Sequence, residues 1–168
     1  GTDIKDWARN GIDSSFTFTG YELITTLVYY ISVKAIDMVG NVSDTVSSNG
    51  VISDQERPMI GITIDGIGSD RSFTNNDTLY ASWSRFADTT SGISHYEPAL
   101  GTSPGITDIV EWTDNGMDTL VMINPLLESG NRYYFSARGY DNVGNVSDIS
   151  TSDGVTVDFS PPFVNEIS

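Results

Sequence analysis

The stretch YYFSARGYDNVGNVSD, residues 133–148, decides the fold, and it occurs twice. Its twin is YYISVKAIDMVGNVSD, residues 29–44, and ten of the sixteen positions are identical. In the second copy Tyr133, Phe135 and Ala137 fall on one face, and alternation with a period of two residues predicts a half-buried β-strand. The Asp-x-Val-Gly-Asn sequence that follows predicts a tight hairpin, because Gly and Asn tolerate a positive φ.

The repeat extends beyond this stretch on both sides. Matching segments are Thr2 to Trp7 with Thr107 to Trp112, and Ser48 to Val51 with Ser152 to Val155. The 104-residue spacing between Tyr29 and Tyr133 is too long for a solenoid unit, and it suits sandwich domains of about 100 residues. We therefore expect residues 1–54 to be the C-terminal half of one repeat. Residues 55–158 should then form a complete repeat, and residues 159–168 the opening strand of the next.

Short alternating segments separated by turn residues run through residues 55–158. Apolar residues alternate at Ile60, Ile62 and Ile64, and again at Leu79, Ala81 and Trp83. Turn signals recur every 8–12 residues or so, and no segment has a convincing helical period. The sequence predicts an all-β fold built as tandem antiparallel β-sandwiches, with one complete and two partial repeats.

Composition excludes several classes of function. The formal net charge of −15 predicts a protein that repels nucleic acid and anionic membrane surfaces. The absence of cysteine rules out disulfides, thiolate metal sites and cysteine nucleophiles. The apolar runs in the sequence are all far shorter than a membrane span, so we expect no membrane insertion.

Several motifs together resemble the fibronectin type III module. They are Tyr133-x-Phe135-x-Ala137 with Asp141-x-x-Gly144-Asn145, Leu127 six residues before Tyr133, Leu23 before Tyr29, and Leu79-x-Ala81-x-Trp83. The resemblance implies an immunoglobulin-like sandwich with a tyrosine corner at each Leu–Tyr pair and a core tryptophan at Trp83. More narrowly, the pattern from Ser91 to Trp112, with Ser152 to Asp158, resembles repeats of very large secreted and cell-surface proteins. Adhesin-like proteins of gliding bacteria are among these.

Calcium is the one cofactor that the sequence brings into question. Asp65, Asp70 and Asp77 lie in or beside a glycine-containing loop, and Ca²⁺ prefers clusters of oxygen ligands. The alternative is a solvated loop whose aspartates initiate turns. Asp141 and Asn145 have a similar alternative, because their side chains are placed to cap the hairpin turn.

Two tryptophans are candidates for stacking on a sugar ring. Trp7 and Trp112 are equivalent, each three residues after an Asp-Ile pair. The alternative is a structural role in which each packs over the edge of a sheet, since a tryptophan buries a large area. His95 is the single histidine, and we expect it to be a plain strand residue because no nucleophile elbow accompanies it.

These patterns predict a non-enzymatic structural module of a long extracellular or cell-surface protein, acting as a stalk, fibre or adhesin spacer. The alternative is a carbohydrate- or protein-binding accessory module of a secreted enzyme or adhesin. The expected partners are neighbouring repeats of the same protein, other copies in a fibre, or a surface glycan. A half-sandwich in residues 1–54 would expose an apolar face that needs a cover. One way to cover it is the segment around Pro162, Phe163 and Val164, donated by another copy.

Overall fold

The computed structural model describes residues 4–164, and these form twelve β-strands and no helix. The prediction of an all-β fold is confirmed. In the described part of the chain there is accordingly no helix with the length and apolarity to span a membrane. The chain divides into two units, Gly1–Asp54 and Gln55–Ser168.

The first unit contains four two-residue strands in two antiparallel pairs. The strands are β1 (Val28–Tyr29), β2 (Ser32–Val33), β3 (Val46–Ser47) and β4 (Val51–Ile52). Strand β1 pairs with β4, and β2 pairs with β3. The apolar residues Ile31, Val33 and Val51 remain exposed, so this unit displays an open apolar face.

The second unit contains the other eight strands. They are β5 (Ile62–Asp65), β6 (Phe73–Thr74), β7 (Leu79–Ser84), β8 (Ile93–Gly101), β9 (Leu120–Ile123), β10 (Arg132–Asp141), β11 (Ser150–Thr151) and β12 (Val155–Val157). One sheet has the order β5-β7-β9. In the other, β10 pairs with β8, β11 and β12, and β12 also pairs with β6. Every one of these pairs is antiparallel except β12–β6, which is parallel.

The core of the second unit lies between its two sheets. Every second side chain of β7 and of β10 points into it, as the alternation predicted: Leu79, Ala81, Trp83, Tyr133, Phe135 and Ala137 are all buried. Leu100 of β8 and Val155 and Val157 of β12 complete the cluster around Phe135. Trp83 and Ala137 belong to a second cluster with Phe86 and Tyr96, so apolar side chains from both sheets pack together between them, as in a β-sandwich.

In strand β5 the face that carries the isoleucines is not the buried one. Ile60 and Ile62 are exposed, whereas Thr63 and Asp65 are buried. The hydroxyl of Thr63 donates to the carbonyl of Ser150 at 3.3 Å, so this polar pair joins β5 to β11 across the sandwich. The inner face of β5 is therefore polar.

The segment after β12 is described only in part. Residues 159–164 form no strand, and residues 165–168 lie outside the described residues. Pro161 and Pro162 have no N–H to contribute to a ladder, which accounts for the absence of strand pairing at this point. The opening strand predicted for residues 159–168 would pair with strands of a following repeat, and it stays a prediction.

Candidate functional site

The two copies of the repeated stretch form the same hydrogen-bonded turn. Asp141 Oδ1 accepts hydrogen bonds from the backbone N–H of Val143 (2.9 Å) and Asn145 (2.8 Å), and Asp141 Oδ2 accepts one from Asn145 Nδ2 (2.6 Å). Asp37 accepts the same three bonds in the first copy, including 2.8 Å from Asn41 Nδ2. The glycine of each loop takes a positive φ, 96° and 93°. The capping interpretation of Asp141 and Asn145 is therefore confirmed.

Further side-chain bonds recur at equivalent positions. Serine Oγ accepts a backbone N–H in four of them: Ser43 from Ala35 (2.8 Å), Ser147 from Gly139 (3.0 Å), Ser48 from Ile31 (3.1 Å) and Ser152 from Phe135 (3.0 Å). Asn10 Nδ2 donates to the carbonyl of Asp13, and Asn115 Nδ2 donates to that of Asp118, both at 2.8 Å. The chain thus builds one frame of local bonds twice.

The tyrosine hydroxyl of each copy also has the same partner. Tyr133 Oη accepts a hydrogen bond from the backbone N–H of Glu128 at 2.9 Å, and Tyr29 Oη accepts one from Ile24 at 2.6 Å. In both cases the partner directly follows the leucine singled out in the sequence. The expected bond from the tyrosine hydroxyl to the backbone upstream is present in both units.

Tyr133→Phe is expected to lower the free energy of unfolding by about 1–2 kcal/mol, because it leaves the Glu128 N–H without its acceptor at a buried corner. Urea denaturation at constant m-value measures the loss. Tyr134→Phe is the matched control: its side chain lies on the outer face, and we expect a change within about 0.5 kcal/mol. Equal losses in the two variants would contradict the corner assignment.

Hydrogen bonds within its own loop lower the pKa of the Asp141 carboxylate. Burial acts to raise its pKa, but bonds from the Asn145 side chain and from the backbone of Val143 and Asn145 outweigh burial, so the pKa lies below the ordinary 3.8. A lowered pKa in the folded state means that ionised Asp141 stabilises the fold above about pH 4. That contribution is lost as the pH falls through the folded-state pKa.

Asp141→Asn should therefore destabilise the protein at pH 7 by roughly 1–3 kcal/mol, because the loop loses a charged acceptor and gains a second donor facing Asn145. The difference from the unmodified chain should shrink as the pH drops below about 4. Urea midpoints at pH 7, 4 and 3 measure this. Asp118→Asn makes the same charge change outside the loop, and a pH dependence equal to that of Asp141→Asn would overturn the explanation.

The structure brings together two of the three aspartates proposed for calcium. Asp70 Oδ1 accepts a hydrogen bond from the backbone N–H of Asp65 at 2.9 Å, so these two residues lie side by side. The third carboxylate of the group is Asp153, in the turn between β11 and β12: one oxygen each of Asp65, Asp70 and Asp153 lies within 4.8 Å of the others. Asp77 does not belong to this group, and its carboxylate accepts instead from the hydroxyl of Thr78 at 3.2 Å.

Asp153 was missed because it lies far from the loop in sequence. The backbone N–H of its neighbour Gly154 donates to Asp65 Oδ2 at 2.8 Å across 89 positions, and this long-range bond brings the turn to the loop. One signal in the sequence could have pointed to Asp65 as a member of the site. The alternation of β5 places Thr63 and Asp65 on one face and the isoleucines on the other. Burial, together with the charges of Asp70 and Asp153, raises the pKa of Asp65 to about 6, against hydrogen bonds from the Ser152 side chain and the Gly154 backbone that lower it.

Each candidate stacking tryptophan has a cation over its ring. The guanidinium of Arg138 lies 4.4 Å from the ring centroid of Trp112, and Lys34 Nζ lies 4.2 Å from that of Trp7. Arg138 is held in place by Glu97 Oε2, 2.7 Å from one terminal guanidinium nitrogen. Trp112 is half-buried and Trp7 is 56% exposed, so one face of each ring is engaged and part of the indole is accessible.

His95 packs as a strand residue. Its ring stacks on Tyr140, directly opposite on β10, with centroids 4.5 Å apart and planes 8° from parallel. Its Nδ1 is 2.7 Å from the hydroxyl of Ser94. An imidazole serving as a general base needs a third group that orients it and a place for substrate beside it. In this structure Tyr140 covers one ring face of His95, so the space on that side of the imidazole is filled by a side chain of the neighbouring strand.

A scan of the sequence against protein-family models found no match, and a search of curated proteins found none either. The resemblance to fibronectin type III therefore rests on the residues of this chain.

Proposed function

We propose that this chain is a non-enzymatic structural module of a long extracellular or cell-surface protein. In this role its repeats, of fibronectin type III kind, space other parts of the protein as a stalk, fibre or adhesin spacer. The observation that carries the proposal is the frame of capping, serine and tyrosine hydrogen bonds, which is built twice at matching positions. These bonds fix the same local backbone conformation in each unit, which is what a repeated spacer requires.

The positions that differ between the copies support the same role. Met38 and Asn142 occupy equivalent places in the repeated turn, and both are exposed. A module selected for shape retains the residues that fix its backbone and tolerates change at its surface. The net charge of −15 favours solubility and mutual repulsion between modules of the same sign.

Replacement in the parent protein tests the proposal. Residues 55–158 are deleted in one variant and replaced in another by an unrelated β-sandwich of about 100 residues. If the segment is a spacer, deletion impairs attachment or reach at the cell surface, and the length-matched replacement restores it. Loss of function in the replacement, equal to that of the deletion, would show that specific surface residues are required and would contradict the spacer role.

A partner of the first unit is proposed from its open apolar face. Ile31, Val33 and Val51 are exposed there, although their equivalents in the second unit lie between two sheets. We propose that another repeat of the same protein covers this face, from the same chain or from another copy in a fibre. Solution mass against concentration, with and without residues 159–168, tests donation by another copy. A monomer at all concentrations in both forms would exclude it.

The second candidate function is binding of a carbohydrate or protein by an accessory module. The accessible indole of Trp7 favours it, because tryptophan rings stack on sugars and anchor protein contacts. Binding on a glycan array or in a pull-down should then fall with Trp7→Ala or Trp112→Ala. Binding that neither substitution changes would remove the basis of this alternative.

A further inference from the structure

Three carboxylates from separated stretches of the second unit converge at one end of β5. Asp65 ends that strand, Asp70 lies in the loop that follows, and Asp153 comes from the turn before β12. Oxygens on opposite sides of a Ca²⁺ ion lie about 4.6–5.2 Å apart, because each ligand sits about 2.3–2.6 Å from the metal. One oxygen from each aspartate lies within 4.8 Å of the others, so the three are close enough to share a single coordination sphere.

A second observation distinguishes this group from an ordinary acidic surface. The Asp65 residue is only 1% exposed, and its Oδ1 is buried with no hydrogen-bond partner among residues 4–164. Its Oδ2 accepts a hydrogen bond from the backbone N–H of Gly154 at 2.8 Å, and the hydroxyl of Ser152 also interacts with the carboxylate. An ionised carboxylate with one bare oxygen in the interior is costly unless a cation compensates it.

A cleft and two arginines adjoin the group. Asp65 borders a cleft of about 260 Å³ that is also lined by Gly66, Arg71 and Val155, and Asp70 and Asp153 lie outside that lining. A guanidinium nitrogen of Arg132 lies 3.9 Å from Asp153 Oδ2, but both side chains are largely exposed. Exposed pairs at this distance contribute little, so Arg132 is a weak competitor for Asp153.

We propose that Asp65, Asp70 and Asp153 bind one Ca²⁺ ion that ties the loop after β5 to the β11–β12 turn. All three side-chain ligands are hard oxygens, which suit Ca²⁺ and Mg²⁺. Two of them sit on exposed loops, which suits the variable geometry of Ca²⁺ better than the strict octahedron of Mg²⁺. Water or backbone carbonyls would supply the remaining positions. The ion would join strands from both sheets. The proposed site does not depend on the spacer function.

The test uses the purified 168-residue chain, freed of metal with EDTA and titrated by calorimetry with CaCl₂ alone, then with MgCl₂ alone, at matched ionic strength. We expect one Ca²⁺ site with a Kd of about 10⁻⁴–10⁻³ M, the range of extracellular modules. At ten times the Kd, the melting temperature should rise by about 5 °C. The largest NMR shifts should fall on the amides of Asp65 and Gly154.

Variants separate this site from general charge effects. Asp153→Asn and Asp70→Asn remove exposed ligands and leave the core intact. Each should weaken binding at least about tenfold, which reduces the thermal shift at the same Ca²⁺ concentration to about a third or less. Asp77→Asn removes the same charge from an aspartate outside the group, and it should leave both the calcium affinity and the thermal shift unchanged. Absence of binding at 10 mM Ca²⁺, or equal losses in Asp153→Asn and Asp77→Asn, would overturn the site. An equal response to Mg²⁺ would overturn the assignment to calcium.

Discussion

Phe135→Ala is expected to lower the free energy of unfolding of the second unit by about 3–5 kcal/mol, because truncating a buried aromatic ring loses transfer free energy and leaves a cavity. Phe135 is 0% exposed and packs in the cluster with Leu100, Tyr133 and Val155. It lies at the middle of β10, between the two sheets, where surrounding side chains are held by both and have little freedom to close the gap.

The first unit supplies a matched control. Ile31 is the equivalent of Phe135 in the repeat, but it is 55% exposed. Ile31→Ala should therefore cost less than about 1 kcal/mol, within the range of surface substitutions. Urea denaturation followed by circular dichroism measures both variants. Equal losses would show that the two faces are equally buried in solution, and would contradict the contrast between the units.

Trp83→Ala is also expected to lower the free energy of unfolding by about 3–5 kcal/mol, because it removes a different set of buried contacts. Trp83 is 4% exposed and meets the ring of Tyr96 edge to face, with centroids 5.9 Å apart. The substitution removes both the buried area and this aromatic contact between β7 and β8. An unchanged denaturation midpoint would show that Trp83 is not a core residue.

Trp83→Phe distinguishes the ring from its polar atom. The indole Nε1 is buried without a hydrogen-bond partner among residues 4–164, so its removal with the five-membered ring leaves no other group without its partner. We expect Trp83→Phe to cost less than half as much as Trp83→Ala, since a ring remains to pack on Tyr96. Equal costs for the two variants would mean that a bond to Nε1, and not packing, carries the stability.

Local patterns in the sequence were sufficient for the strands, the turns and most of the core. The alternation of Tyr133, Phe135 and Ala137 depends only on the pleat, and the Asp141 loop depends on residues within four positions of one another. Such features follow from short-range stereochemistry. They appear in both copies because the same residues are present in both.

The candidate metal site could not be predicted in full, because it depends on long-range pairing. Asp65 and Asp153 meet only because β5 and the β11–β12 turn face each other across the sandwich, whereas Asp77 is nearer to Asp65 in sequence but outside the group. The alternation of β5 did not indicate which of its two faces is buried, and the hydrogen bond from Thr63 to β11 lies on the buried face. The parallel pairing of β6 with β12 depends on the whole sheet.

Pulling on the chain by single-molecule force spectroscopy tests the central claim most directly, which is that residues 55–158 resist tension as one folded unit of a spacer. We predict one force peak for this chain, with a gain in contour length of about 30–34 nm, which is the extended length of about 34–37 nm for those residues less a folded span of a few nanometres. The first unit, with its open apolar face, should extend at low force. Extension of the whole chain without a peak, or a single gain of more than about 50 nm covering all 168 residues, would contradict the account.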